Sequence, residues 1–302
     1  MATTSLAQPA IQSQTGVPTP LRPWHLASLW HLTSLDAPTV AVTWTLAFAA
    51  AFQIHLPIWL PITLALAAWS AYIADRLLDT HRATTGEADP YSLSLRPRHH
   101  FHWKHRRLFI PLALASGLAA LTLVLINMPL AARERNSVLA AAALAYFTSV
   151  HNPWRLPSPK FRLKLPKELL VALIFTLACA IPTWTRMPTR RPELLIPILA
   201  FISLAWLNCQ AIETWESTPP ARNPIFPLAT TLTASTALVA TIFLIEHQAR
   251  MAALLAAAAT SAALLALLDR YRHRVTATTL RAAADLVLLT PLALLIMPVF
   301  TQ

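Results

Sequence analysis

The sequence predicts an all-α protein, a polytopic membrane bundle of about nine transmembrane helices, and three observations carry that prediction. Of 302 residues, 56% are hydrophobic and only 12% charged, against about 25% charged in soluble domains, and the mean hydropathy is +0.51. The apolar residues gather into runs close to the ~20 residues that cross a bilayer. Lys and Arg, 24 in all, alternate in density from one inter-run loop to the next. The net charge of +11 falls in short runs between apolar stretches. That is how a membrane protein carries its topology, so no nucleic-acid partner is expected. Gly16, Gly86 and Gly117 are the only glycines, which excludes a glycine-rich nucleotide loop of the Rossmann or P-loop kind.

Taken in order, residues 1–37 are rich in Ser, Thr, Gln and Pro. They lack the basic start and compact apolar core of a secretory signal and read as a retained tail. Within it, Trp24 to Leu35 places Trp and Leu at helical spacing, as a short interfacial helix would. Residues 38–302 read as a single transmembrane helical domain in contact with the lipid bilayer. Its nine candidate spans are 38–54, 57–78, 108–127, 136–150, 168–184, 194–213, 225–245, 250–268 and 282–300. The fourth is short and Ala-rich with polar flanks. The eighth, nearly all Ala and Leu, has high helix propensity and small side chains that let neighbours approach closely. Pro57, Pro129, Pro182, Pro224 and Pro291 fall near span ends or inside the last span. A bundle can satisfy the carbonyls that such prolines free. Cys179 and Cys209 lie in apolar segments without metal-site spacing and read as small core residues.

Alternating the nine spans puts 18 of the 24 Lys and Arg on the side of the N-terminus. The positive-inside rule then places the N-terminus in the cytoplasm and the C-terminus outside, in an integral membrane protein suited to a bacterial inner membrane. Ten of the 13 acids share that side. Acids do little to set topology, so their segregation points to a site at that face.

The second span ends in Asp75-Arg76-Leu-Leu-Asp79. Carboxylates four residues apart occupy one helix face, one turn above the other, where they repel each other and are expensive to keep charged. A divalent cation between them relieves both problems, and Mg²⁺ favours carboxylates together with phosphate oxygens. Pairing with Arg76 and Arg82 in water is the plainer alternative. The sixth span ends in Asn208-Cys-Gln-Ala-Ile-Glu213-Thr-Trp-Glu216. Asn208 and Glu216 are a little over two turns apart and share a face, with Glu213 beside them. Two such helix ends facing each other would hold metal in the mouth of a bundle. Basic residues follow both the second and the fourth spans, Lys160 and Lys164 among them. They serve topology and also offer cations for phosphate oxygens, with Tyr146 a hydroxyl donor nearby. The cluster His99, His100, His102, His105 lacks acidic or thiol partners close in sequence and reads as a loop or interfacial helix. Asp285, about one turn inside the last span, either pairs with Arg281 or faces a cavity.

Nine spans, an inward N-terminus and acidic motifs closing spans two and six resemble the UbiA superfamily of intramembrane prenyltransferases. Asp75, Arg76 and Asp79 match the DRxxD half of that family's first motif, NDxxDRxxD, whereas Ala71-Tyr72 stands where ND is usual. Asn208 and Glu216 stand at the ends of the second motif, with Ile212 in place of its central acid and Glu213 next to it. The resemblance implies a UbiA-like fold and Mg²⁺-dependent transfer of a prenyl group from an isoprenyl diphosphate to a membrane-embedded acceptor. In that reading Asp75, Asp79, Glu213 and Glu216 serve catalysis, with Asp75, Asp79, Asn208 and Glu216 on the metal. Arg76, Tyr146, Lys160 and Lys164 bind the diphosphate, while Asp285, a cavity acid or a partner of Arg281, lies outside the family's pattern. Two alternatives stand beside it. One is a UbiA-like protein without turnover that binds isoprenoid lipid or scaffolds a complex. The other is a small-molecule transporter, which would need a repeat or a midplane site that the sequence does not display.

Overall fold

A computed structural model of the chain describes residues 23–85, 97–151, 166–187, 192–216 and 224–296, all helical apart from short connections. The helices are α1 (Pro23–Leu32), α2 (Asp36–Ala51), α3 (Trp59–Thr85), α4 (Pro97–Lys104), α5 (Arg106–Asn127), α6 (Leu130–His151) and α7 (Lys167–Trp184). They continue with α8 (Leu195–Glu216), α9 (Ile225–Ile245), α10 (Ala249–Tyr271), α11 (Ala277–Leu286) and α12 (Leu292–Ile296). Short 3₁₀ turns precede α8, follow α10 and join α11 to α12. The class is therefore all-α and consistent with a polytopic membrane bundle.

The count of nine spans needs correction. Among the described residues, five helical stretches are long and apolar enough to cross a membrane: Arg106–Asn127, Lys167–Trp184, Pro192–Glu216, Ile225–Ile245 and Ala249–Arg274. The other expected spans are also helical, but each falls short for its own reason. Helix α2 has 16 residues, about 24 Å at 1.5 Å per residue, against a hydrocarbon core of about 30 Å. Helix α3 is long, but its second half carries Asp75, Arg76, Asp79, His81 and Arg82. Helix α6 opens with Arg133, Glu134, Arg135 and Asn136. The last span is broken into α11, a 3₁₀ turn and α12.

That break has a chemical cause. Pro291 has no N–H to give to Val287, four residues back. The Ser261 hydroxyl of α10 supplies the missing donor, reaching Val287 O at 2.6 Å. Trp44 Nε1 of α2 donates to the next carbonyl, Leu288 O, at 2.9 Å, and Thr290 Oγ1 returns to Ala257 O at 2.8 Å. Irregular backbone inside a bundle is tolerated where neighbouring helices satisfy it.

The core lies between α2, α7, α8, α10 and α11. Trp44 stacks on Phe201 at a centroid distance of 3.8 Å, and both are fully buried. Helices α9 and α10 pack along their length through small residues such as Ala229, Ala240, Ala252 and Ala259. Helices α3 and α5 also pack against each other. Ser70 Oγ donates to Ala113 O and Ser116 Oγ to Leu66 O, each at 2.9 Å. A Cβ on Gly117 would stand 3.1 Å from Ser70 Oγ. Outward faces stay apolar, for example Leu114, Leu118 and Leu125 on α5, as lipid requires.

Helix α1 lies in the expected amphipathic segment, with Leu26 and Leu29 exposed. Its last turn does more than lie at an interface, because His31 is 2% exposed and points into the bundle.

Candidate functional site

At one end of the bundle, α2, α3, α4, α6, α7, α8 and α11 enclose a cavity of about 480 Å³. Helices running in opposite senses deliver their termini to the same end. The wall therefore receives the starts of α2, α4 and α7 and the later halves of α3, α6 and α8. Among the described residues, six carboxylates line it: Asp36, Asp75, Asp79, Glu168, Glu213 and Asp285. Four cationic side chains, Arg76, Arg98, Lys167 and Arg281, stand among them, together with His99, Tyr72 and Tyr146. Val40, Val171, Phe175, Ile212 and Leu288 supply an apolar flank.

Most of the residues singled out from sequence meet here. Asp75, Arg76 and Asp79 from α3, Tyr146 from α6, Asn208 and Glu213 from α8, and Asp285 from α11 all line the cavity. Glu216 does not. Its Oε1 receives Arg281 Nη1 at 2.5 Å, which holds it to α11 outside the lining. Arg281 is therefore engaged across helices rather than with Asp285 on its own helix. Asp285 faces the cavity instead. Lys160 and Lys164 lie outside the described residues.

Asp36 and His31 were not legible as site residues. Asp36 Oδ2 lies 2.7 Å from His31 Nδ1, and Asp285 Oδ2 lies 3.4 Å from the same nitrogen. Arg76 Nη2 stands 3.7 Å from Asp36 Oδ2, and its Nη1 donates to Ser34 Oγ. The other oxygen of each Asp is also held. Ala37 N–H donates to Asp36 Oδ1 at 2.9 Å, and Asn208 Nδ2 donates to Asp285 Oδ1 at 3.2 Å. The one signal available from sequence was Asp36 itself, a lone acid in an otherwise uncharged run just before the first span.

Helix α4 closes the network from the side. His102 Nδ1 donates to Arg98 O at 2.9 Å, leaving Nε2 to accept from Ser34 Oγ at 3.1 Å. Burial, with Arg76, His99 and Arg98 nearby, pushes the His102 pKa down to about 4, against the pull of the Arg98 carbonyl. The ring is therefore neutral, as its hydrogen bonds require. His99 is also lowered by burial and by Arg98 and Arg76, although Asp79, 3.7 Å from its Nε2, favours the charged form. Burial acts to lower the His31 pKa too, but the Asp285 and Asp36 carboxylates outweigh it and raise the pKa. The histidine cluster expected to lie in a loop or interfacial helix is in part a wall of the site.

The fold and cavity define a class, a helical membrane bundle with a pocket at one end whose lining is rich in both carboxylates and cations. Comparison with protein-family models, curated proteins and solved structures finds no match.

Proposed function

We propose that the chain is a UbiA-like intramembrane prenyltransferase. In this reading it moves a prenyl group from an isoprenyl diphosphate to a membrane-embedded acceptor with the help of Mg²⁺, and works at the cytoplasmic face of a bacterial inner membrane with its N-terminus inside. One observation carries the proposal: the DRxxD end of α3 and the polar end of α8 line one cavity, at the foot of an apolar flank. Asp75, Asp79 and Glu213 offer hard oxygen donors only, which suits Mg²⁺. An ion held there would neutralise diphosphate oxygens and assist their departure.

The protein's own groups divide the remaining work. Arg98 and Lys167 stand on the lining where diphosphate oxygens would lie, and positive charge there favours the C–O bond breaking with its electron pair on the leaving group. Arg76 braces Asp36 and Ser34 and contributes its charge from the wall. Val40, Val171, Phe175 and Leu288 take the start of the prenyl chain, at about 0.8 kcal/mol for each CH₂ buried. Their apolar surface also keeps water from the allylic cation, so that the acceptor captures it. A volume of about 480 Å³ lies within the range of about 300–1,000 Å³ of small-molecule sites.

Purified protein with a labelled isoprenyl diphosphate tests the proposal. Mg²⁺-dependent binding and transfer that disappear in Asp75→Asn and Asp79→Asn support it. Absence of Mg²⁺-dependent binding in the parent, or unchanged variants, overturns it. A binder without turnover is the second reading, favoured by the Arg281–Glu216 pair and by Tyr72 where the resemblance leads one to expect an acid. Binding without transfer to any lipid-soluble acceptor would select it.

A further inference from the structure

His31 and Asp36 flank the short turn between α1 and α2, Asp285 comes from the distant α11, and their ligand atoms all lie within 4.8 Å of one another. We propose that His31 Nδ1, Asp36 Oδ2 and Asp285 Oδ2 form a binding site for a divalent transition-metal ion of the Mn²⁺, Fe²⁺ or Zn²⁺ kind, separate from the Asp75–Asp79 pair. The proposal does not depend on the prenyl-transfer reading.

Geometry is the first support. His31 Nδ1 stands 2.7 and 3.4 Å from the two carboxylate oxygens. An ion with bonds of about 2.0–2.2 Å sets neighbouring ligands about 3 Å apart, so little movement is needed to admit one, the His31 Nδ1 proton leaving to solvent as the ion binds.

The carboxylates are also oriented as metal ligands are. Each has one oxygen fixed by a neutral N–H donor, Ala37 N for Asp36 and Asn208 Nδ2 for Asp285. Each turns its other oxygen toward His31. Hydrogen bonds of this kind behind the ligands set their direction and basicity.

Asn208 adds an independent observation. Because its Nδ2 is committed to a carboxylate, which can only accept, the amide cannot be flipped and Oδ1 is the remaining acceptor. Among the described residues that oxygen is buried without a hydrogen-bond partner, on a residue 5% exposed that lines the cavity. Buried acceptors are rarely left so. A water on an ion at Asp285 would give it the missing donor.

Charge fits as well. Among the described residues, the lining holds six carboxylates against four cationic side chains, two negative charges in excess. Arg76, 3.7 Å from Asp36 Oδ2, opposes a dication at that oxygen and keeps affinity below that of a closed structural zinc site. Donor chemistry selects the ion. An imidazole nitrogen with two carboxylates suits Mn²⁺, Fe²⁺ or Zn²⁺, whereas Mg²⁺ favours oxygen alone. Bound there, the ion would tie α1 to α2 and α11 and brace the cavity wall from behind.

Equilibrium dialysis of the detergent-purified full chain with Mn²⁺ alone, without diphosphate, tests the site. It is read with electron spin-echo detection of nitrogen coupled to the bound Mn²⁺. The expected result is one ion with imidazole nitrogen coupling, retained in Asp75→Asn and Asp79→Asn. His31→Gln and Asp285→Asn should weaken binding at least tenfold, with nitrogen coupling lost in His31→Gln. No bound Mn²⁺, bound Mn²⁺ without nitrogen coupling, or an ion lost in Asp75→Asn but kept in His31→Gln overturns the proposal. Should His31→Gln fail to fold, Asp285→Asn decides, since Mn²⁺ bound there as tightly as in the parent overturns the proposal. A parent that binds Mn²⁺ through His31 yet ignores isoprenyl diphosphate would retain this site and discard the transferase.

Discussion

The two sides of the cavity are built in different ways. On one, Asp75 and Asp79 are set four residues apart on a single helix, and their shared face follows from the helical repeat alone. On the other, Asp285 meets His31 and Asp36 only because α11 packs against α1 and α2, across as many as 254 positions of sequence. The local pair would survive many rearrangements of the bundle. The assembled wall depends on the packing beneath it, above all on Trp44 and Ser261, which hold the broken last span below Asp285. The difference teaches where each side should fail.

The largest effect should come from Trp44→Ala, which removes the stack on Phe201 and the donor to Leu288 O. Loss of about 3–5 kcal/mol is expected, as for other buried aromatic truncations, read by denaturant or thermal unfolding in detergent. Acid comes next. The folded pKa of His102 lies below its unfolded value, near 6.5, so the contribution of the neutral ring is complete above about pH 6.5. It is lost as pH falls toward about 4. The unfolded chain binds the extra proton in that window, and stability falls by about 3 kcal/mol. Comparing the pH profiles of the parent and His102→Gln isolates this ring, and an unchanged profile would refute it.

Asp75→Asn and Asp79→Asn should lower transfer about a hundredfold, or about 2.7 kcal/mol, while leaving the melting curve close to the parent. That separation of activity from stability is the signature of the local side. Ser261→Ala should cost about 1–2 kcal/mol by leaving Val287 O without its substitute donor, again read from unfolding. Glu216→Gln should change transfer least, by no more than about threefold, since Arg281 holds that carboxylate away from the lining. A hundredfold loss there would return Glu216 to the reacting centre.

Legibility followed the same division. Helix positions could be read from apolar runs, because burial in lipid selects composition over about 20 residues at a stretch. The number of competent spans could not. Hydropathy does not reveal that α2 stops at Ala51, or that Pro291 divides the last span once Ser261 and Trp44 stand ready to satisfy its carbonyls. At the site, Asp75, Asp79, Asn208 and Glu213 were visible as acids and amides closing two helices. Glu216 looked equivalent to Glu213, and only the position of Arg281 separates them. Asp285 was undecided between Arg281 and the cavity until Asn208 and His31 were seen to engage it.

By itself, then, the sequence determined an all-helical, lipid-compatible chain with acids gathered toward one end, since hydropathy and helical spacing act over neighbouring residues. Tertiary structure alone decided which acids share a cavity and which are neutralised outside it. It also drew Asp36 into the wall and set His31 behind it. Those outcomes depend on contacts such as Glu216 with Arg281, Asn208 with Asp285 and His31 with Asp285, between residues far apart in sequence, which no local pattern encodes.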